Sequence, residues 1–446
     1  MRAPHDVHPA LVRDHALPVD DDGAIERACD QVHELIPSHD HQRRRYHSPA
    51  PLRICKLRGT ARSFLHNDAV ELEGRAEALL LAIRAAPDDT ATRLVFADHI
   101  APRFPAHAAW IVAQCTGVED PALEAAFRDE LPEPLRELAT TRGFVRGATW
   151  QLEARDFVEL HPDVLFRLSP FRTGIALQDA TRYAAIAARM RRFDALTLVA
   201  THLDVAGAHE LATVDGLTHL RHLGFDHMRI DDENLAVLLA ATSFPVLESL
   251  SLSGQGNPVR FSIETLRRLP QATFASSLRS LDVSSCYLTD LVEVLRELPA
   301  LRTLAATHSR LDASFATLPL RFERLNLDFC GIDDATAQAV ARSRVLSQLQ
   351  ALSAIGNKWT CSGIHDVLAS PNLGPLRELT LDVVGGDDGL LVSSALARST
   401  ARGTLERVVF SMMRLGDDAA RVLADRTSNT SRLSSATSDV AGSRPS

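Results

Sequence analysis

The chain has 446 residues, 45% of them hydrophobic, which is enough for several ordinary domains or for one domain followed by a repeat array. Its net charge of −9 argues against general nucleic-acid binding, which depends on neutralising phosphates. No apolar run approaches the roughly 18 to 20 residues of a membrane helix, and the start lacks a secretory pattern. We therefore expect a soluble cytoplasmic protein. Its basic residues include only two lysines, Lys56 and Lys358, a bias typical of GC-rich bacterial coding sequences.

The first segment, residues 1–68, shows no hydrophobic period. It carries eight of the 18 histidines, together with a run of three arginines at 43–45. These histidines are irregularly spaced and flanked by Pro and Asp, which is not the spacing of a metal site. The segment is therefore predicted to be poorly ordered and to bind no metal.

Residues 69–142 predict a small helical unit. Apolar residues with helical spacing include Leu80, Ile83 and Phe96, and the pattern is interrupted at Pro87. The stretch AEALLLAIRAAPDDTATRLVFADHIAPRFPAHAAWIVAQC resembles, as a degenerate copy, the repeat-companion domain that precedes leucine-rich repeats in many bacterial proteins. The residues that match this pattern are Leu80, Ala82, Ile83, Pro87, Asp88, Asp89, Arg93, Leu94, Ala97, Asp98, Ile111, Gln114 and Cys115. The resemblance implies a helical companion to the repeats.

Residues 143–192 are predicted to connect this unit to the repeats and to cap them. Phe144, Val145, Trp150 and Leu152 predict an opening strand, and a helix is expected to follow as far as Leu168. A cap is needed because the first repeat of an array otherwise exposes its apolar edge. At the other end, the Ser/Thr-rich residues 427–446 are predicted to be disordered.

Residues 193–426 contain a repeat of strand and helix. The template L-x-x-L-x-L-x-x-N/C-x-L fits nine times, with 27 residues as the commonest spacing, and an apolar stripe with helical spacing begins about fifteen residues after most starts. Aspartate pairs such as Asp231-Asp232 and Asp333-Asp334 precede the stripe and suit helix N-caps. The nine starts are Phe193, Leu220, Leu247, Leu278, Leu301, Phe322, Leu349, Leu376 and Leu405.

This array resembles the ribonuclease-inhibitor-like class of leucine-rich repeats. The resemblance implies an α/β solenoid, a horseshoe with a parallel sheet inside and helices outside, preceded by the small helical unit. The ninth template position, usually Asn or Cys, is degenerate here. Cys286, Cys330 and Asn357 occupy it and are predicted to be buried ladder residues. The 21-residue repeat from Leu301 is too short for a full helix and predicts a loop or a 3₁₀ turn.

The sequence indicates binding rather than catalysis. We find no P-loop, no G-x-G-x-x-G, no G-x-S-x-G, no H-E-x-x-H and no paired Cys/His zinc spacing. The six cysteines are scattered and form no C-x-x-C pair. We therefore predict no catalytic residue, no metal site and no cofactor.

The candidate binding surface is the concave face. The fifth, seventh and eighth template positions point away from the core, because side chains alternate along a strand. They form a mildly acidic trough that suits a protein or peptide rather than nucleic acid or membrane, with a basic partner as one option and a merely solvated face as the other. The candidate partner-binding residues are Asp226, His227, Asp282, His308, Asp328, Phe329 and Asp382.

Three functions remain open from the sequence. The first is a non-catalytic protein-binding scaffold that uses the concave face. The second is a two-headed regulatory adaptor, in which the N-terminal unit recruits a second protein. The third is a GTPase-activator-like regulator, since ribonuclease-inhibitor-like repeats also occur in GTPase activators and Arg229 and Arg310 lie in suitable turns.

Overall fold

The computed structural model describes residues 74–131, 140–145, 149–159, 162–171, 173–199, 203–226, 228–253, 261–382 and 389–411. The predictions for residues 1–68, His227, and the tail at 427–446 lie outside these ranges. No helix in the described ranges combines the length and the apolarity that crossing a bilayer requires.

One parallel sheet organises the described residues. Its eleven strands lie side by side in chain order. They are β3 (Thr149–Glu153), β4 (Gly174–Gln178), β5 (Ala195–Val199), β6 (His222–Asp226), β7 (Ser249–Ser251), β8 (Ser280–Asp282), β9 (Thr303–Ala305), β10 (Arg324–Asn326), β11 (Ala351–Ala354), β12 (Glu378–Asp382) and β13 (Arg407–Ser411). This arrangement is an α/β leucine-rich-repeat solenoid, as the spacing predicts.

The register of the sheet follows the leucines of the repeat. Leu281 pairs with Leu304, and Leu325 pairs with Leu352, so the fourth template position forms one continuous buried row. All nine predicted strands are confirmed as parallel neighbours in the predicted order. Deleting a side chain from this row, as in Leu325→Ala, removes contacts with two adjacent repeats.

The repeat template accounts for nine of the eleven strands of this sheet. Strands β3 and β4 belong to the same sheet, and the register places Ile175 beside Leu196. The first template position of these two units holds Gly147 and Arg172 instead of a large apolar residue, so the template misses them. The connector therefore supplies two strands of the sheet itself.

The helices lie in the connections between strands. Those of the sheet region are α5 (Ala154–Glu159), α6 (Pro162–Leu168), α7 (Tyr183–Ala187), α8 (Val205–Thr213), α9 (Asp232–Leu239), α10 (Ile263–Leu266), α11 (Leu291–Arg296), α12 (Asp334–Arg342), α13 (Cys361–Leu368) and α14 (Gly389–Arg398). The predicted apolar stripes on α8, α9, α12 and α13 are buried. The short repeat has a 3₁₀ helix, Ala313–Thr317, as predicted.

The aspartate pairs join successive repeats. The first member caps its own helix: Asp333 accepts a hydrogen bond from the backbone N–H of Thr336 at 2.8 Å. The second member, Asp334, accepts bonds from the backbone N–H of Thr360 at 2.7 Å and of Gly363 at 3.1 Å, at the start of the next helix. One short acidic motif therefore satisfies the amino ends of two helices.

The helical unit consists of α1 (Gly74–Ala85), α2 (Thr90–Ile100), α3 (Pro105–Thr116) and α4 (Pro121–Asp129). Asp89 caps α2, and the buried Arg93 donates hydrogen bonds to the carbonyls of Pro87 and Arg142. A hairpin of β1 (Thr140–Thr141) and β2 (Phe144–Val145) follows. The opening strand predicted from Phe144 to Leu152 is therefore confirmed for Trp150 and Leu152, which lie in β3, and wrong for Phe144 and Val145, which belong to this hairpin.

An ion-pair network joins the helical unit to the first strands of the sheet. Arg192 pairs with Glu77 of α1 and donates to the fully buried Asp163 of α6 at 2.9 Å. Arg191 donates to the second oxygen of the same carboxylate at 2.9 Å. Arg192 bonds to both oxygens of Glu77, and this bidentate pair holds α1 against the connector more firmly than a single exposed ion pair would.

Candidate functional site

Two of the carboxylates at the seventh template position are buried and accept hydrogen bonds from neighbouring repeats. Asp328 and Asp382 are each only 6% exposed. Asp328 accepts hydrogen bonds from the Ser353 hydroxyl and the Ile355 backbone N–H, both at 2.8 Å. Asp382 accepts the Gly356 N–H with both oxygens at 2.8 Å. The expectation of a solvated acidic trough is therefore wrong at these two positions, because neighbouring main-chain donors need acceptors there.

Burial raises the pKa of these carboxyl groups. Desolvation, with a smaller contribution from the nearby Asp382 carboxylate, raises the pKa of Asp328 to about 6, although two hydrogen bonds oppose the shift. Burial also raises the pKa of Asp382 and of Asp282. Because Asp328 and Asp382 are buried, less of the negative charge of the concave face is accessible than the number of aspartates suggests.

The remaining acidic candidates are closer to the surface. Asp282 and Asp226 are half-buried. One oxygen of Asp282 accepts the backbone N–H of Ser284 at 2.9 Å, and the other accepts the Ser251 hydroxyl at 3.3 Å. The four aspartates stand at fifth or seventh template positions, which share one face of the sheet, and they are spread over strands β6 to β12.

The eighth template position behaves differently. Ser285, His308 and Phe329 have φ values of 61°, 63° and 55°, in the left-handed region, as does Gly356 at 69°. Their backbone N–H groups still continue the inter-repeat ladder: that of Phe329 donates to the carbonyl of Ile355 at 2.7 Å. A left-handed residue other than glycine costs roughly 1–2 kcal/mol, so this column holds strain in consecutive turns.

The side chains of this rim form an exposed stack of rings. His308 lies between Phe329, at a centroid distance of 4.8 Å and an interplanar angle of 16°, and Tyr287, at 5.6 Å and 26°. Phe329 is 51% exposed and Tyr287 is 66% exposed. On its far side the Phe329 ring covers Gly356, where a Cβ would meet the ring at 2.2 Å. We call Tyr287, His308 and Phe329 the aromatic rim.

The structure thus brings together two of the predicted site residues, His308 and Phe329, and adds Tyr287. Tyr287 occupies the tenth template position, which lies beyond the strand. The alternation of strand side chains does not say where a residue at this position points, so the sequence pattern does not identify Tyr287. Its φ of 51° lies outside the strand region and shows why that rule fails there. Burial lowers the pKa of His308.

The ninth position forms the predicted buried ladder. Asn357 accepts the backbone N–H groups of Cys330 and Ile332 at 3.1 and 3.0 Å, and donates to the carbonyl of Leu327 at 2.9 Å. The Cys330 thiol donates to the carbonyl of Ala306. Across the described ranges, no group of three or more His, Cys, Asp or Glu side chains is placed to hold a metal ion.

Comparison with known proteins reveals remote likenesses to solved structures. No family model matches the sequence, and no curated protein has significant similarity to it. Among solved structures, the chain is similar to a chain of the Rad7 and Elc1 complex in yeast, with 15% identity, a TM-score of 0.41, and coverage of 76% of this chain and 90% of that one.

Two further structures show the same level of likeness. An internalin, inlF, from Listeria monocytogenes has 16% identity and a TM-score of 0.31, over 60% of this chain and 75% of that chain. A chain of the TLR13–ssRNA13 complex has 16% identity and a TM-score of 0.34, over 59% of this chain and 42% of that chain. The functional argument below therefore rests on the residues of this chain.

Proposed function

We propose that this protein is a non-catalytic protein-binding scaffold whose contact with its partner is anchored at the aromatic rim. The observation that carries the proposal is the exposed stack of Tyr287, His308 and Phe329. Exposed aromatic side chains in a rigid setting, ringed by polar groups, tend to dominate the energetics of protein interfaces. Solvent exposure of two such rings is unfavourable for the free protein and is relieved when a partner covers them.

Backbone strain supports the same assignment. His308 and Phe329 keep a left-handed backbone where Gly356, in the equivalent place one repeat later, adopts it without cost. Strained positions of this kind concentrate at ligand-binding sites, where surrounding structure holds them in place. The mutual stacking of the rings also reduces their rotamer freedom before binding, so less entropy is lost in the complex.

The aspartates take two roles in this proposal. Asp328 and Asp382 support the turns from below, through their bonds to Ile355 and Gly356. Asp226 and Asp282, with His227, remain candidates for peripheral contact beside the rim. The anchor of the surface therefore moves from the centre of the strands to the turns that follow β8, β9 and β10.

Crosslinking mass spectrometry on partners captured by the full chain tests the proposal. We expect Phe329→Ala to reduce partner recovery at least tenfold, because it removes the central exposed ring. Phe329→Gly should reduce partner recovery equally. Glycine adopts the left-handed backbone of this position without strain, so misfolding does not explain the loss in this variant. Val246→Ala is the matched control, since Val246 is 43% exposed on the turn before β7.

A clear result contradicts this proposal. If both Phe329 variants remain folded and recover the partner as well as Val246→Ala does, the rim is not the anchor. Crosslinks confined to the convex helices would support the same conclusion.

A second candidate, the two-headed adaptor, is favoured by a separate observation. The helical unit exposes Leu81, Val95, Val112 and Val118, four aliphatic side chains on or next to α1–α3. Single exposed aliphatic residues are ordinary. A second partner would crosslink to this unit, however, and its binding would be unaffected by Phe329→Ala. Loss of that partner on changing Val95 and Val112 to Ser would establish the second binding surface.

A further inference from the structure

Gly356 adjoins the aromatic rim at its β11 end. It occupies the eighth template position of the repeat that follows Phe329. A Cβ atom at Gly356 would lie 2.2 Å from both the Cδ1 and the Cε1 atom of the Phe329 ring, and 2.9 Å from its Cγ atom. Carbon atoms that are not bonded to each other pack at about 3.5–4.0 Å. The Phe329 ring therefore fills the space that a side chain at position 356 would need.

The backbone conformation alone does not require a glycine at this position. Ser285, His308 and Phe329 keep a left-handed backbone at the same template position although each carries a side chain. What distinguishes Gly356 from them is the ring that lies against it. Gly331 provides the contrast, because its φ of 73° is also left-handed but none of the described residues lies within 4 Å of where its Cβ would be.

The backbone at Gly356 is held more firmly than the ring beside it. The N–H of Gly356 donates to both oxygens of the buried Asp382 at 2.8 Å. The carbonyl of the preceding Ile355 accepts the N–H of Phe329 at 2.7 Å, and the following Asn357 is buried. The Phe329 ring, in contrast, is half exposed and can turn about its side-chain bonds. A side chain at position 356 would therefore displace the ring rather than the backbone.

We infer that Gly356 is a positioning residue of the binding surface, and this inference rests on the proposed function. Because it has no side chain, the Phe329 ring lies directly against the Gly356 backbone while it stacks on His308 at a centroid distance of 4.8 Å. The ring is thereby held in one orientation before the partner arrives, so less rotamer entropy is lost in the complex. Gly356 acts on binding through Phe329 and needs no contact with the partner.

Two glycine variants of the full chain test this role without a partner. Gly356→Ala and Gly331→Ala both place alanine on a left-handed backbone, but only Gly356→Ala meets a ring. We expect both variants to fold, with similar urea midpoints. The readout is the NMR resonance of the His308 Hε1 proton at constant pH, which responds to the ring currents of its stacked neighbours. Gly356→Ala should shift this resonance in the same direction as Phe329→Ala does, and Gly331→Ala should leave it unchanged.

Binding of the purified partner identified by crosslinking gives the second readout. Gly356→Ala should weaken this binding at least tenfold, and Gly331→Ala should change it less than twofold. In a chain that already carries Phe329→Ala, the addition of Gly356→Ala should change neither partner binding nor the His308 resonance, because the two residues act as one unit.

The contrary outcomes separate this inference from the proposed function. An unshifted His308 resonance in folded Gly356→Ala would overturn the positioning role. Failure of Gly356→Ala to fold even together with Phe329→Ala would also overturn it, because the backbone itself would then require the glycine. If Phe329→Ala weakens binding and Gly356→Ala does not, the inference fails and the proposed function stands. If neither weakens binding although the resonance shifts, the proposed function fails, and the role of Gly356 in binding fails with it.

Discussion

The seventh and eighth template positions are adjacent in the chain, yet they have opposite roles. In the repeat from Phe322, the acidic Asp328 is buried beneath the turn, whereas the aromatic Phe329 beside it is half exposed. The same contrast separates Asp382 from His308 in other repeats. Polarity alone would assign these residues the other way round.

The contrast shows that main-chain requirements decide exposure at the end of each strand. Where the strand ladder ends, backbone N–H groups of the adjacent turn need acceptors, and a carboxylate over the sheet supplies them. At the next residue the backbone enters the left-handed region, out of the alternation of the strand, and the side chain lies at the rim. The residue at the seventh position therefore supports the turn by accepting its N–H groups, and the next residue exposes its side chain at the rim.

Removing a support residue is the change with the largest expected effect on stability. Asp382→Ala should lower the free energy of unfolding by about 1–3 kcal/mol, because the Gly356 N–H loses its acceptor in a buried setting. Phe329→Ala should change it by less than about 0.5 kcal/mol, as for an exposed position. Urea unfolding of the two variants and the parent chain measures both values.

Asp382→Asn is the control for this comparison. It keeps an acceptor and removes the charge that burial disfavours, so its stability at neutral pH should match or exceed that of the parent chain. Equal losses of unfolding free energy for Asp382→Ala and Phe329→Ala would contradict the assignment of a supporting role to Asp382 and an exposed role to Phe329.

A pH series sharpens the same comparison with a smaller effect. Burial raises the pKa of Asp328 to about 6, above its value in the unfolded chain, so the folded state binds more protons between about pH 4 and 6. Stability from this group should therefore rise as the pH falls from 7.5 to 5.5, by about 1 kcal/mol relative to Asp328→Asn. Urea midpoints at the two pH values measure the difference, and a parent chain that loses stability relative to Asp328→Asn would contradict it.

The fold could be predicted from the sequence wherever leucine spacing was intact. Burial of Leu281, Leu325 and Leu352 follows from the template, since each row packs between two repeats. Strand β4 was missed, and β3 was predicted only as part of a longer opening strand, because Gly147 and Arg172 occupy the first template position. The hydrogen bonding of the sheet does not depend on that side chain. A side-chain pattern is thus sufficient for a strand but not required.

The candidate site could be predicted only in part. The sequence placed Phe329 and His308 off the core, but not their stacking, which depends on left-handed φ values in successive turns. Tyr287 joins the stack from the tenth position, two residues beyond the eighth position that supplies His308 and Phe329. Burial of Asp328 also depends on the backbone N–H of Ile355 in the next repeat, which donates to its carboxylate. No local sequence pattern reveals that contact.

Hydroxyl-radical footprinting of the full chain, free and bound to its captured partner, tests the central claim most directly. Tyr287 and Phe329 are exposed in the free protein and should be oxidised readily. We expect the partner to lower the oxidation rate of both rings severalfold, while Leu81 and Val246, exposed elsewhere, keep their rates. Unchanged oxidation of Tyr287 and Phe329, with protection on the helices instead, would contradict the assignment of the aromatic rim as the binding surface.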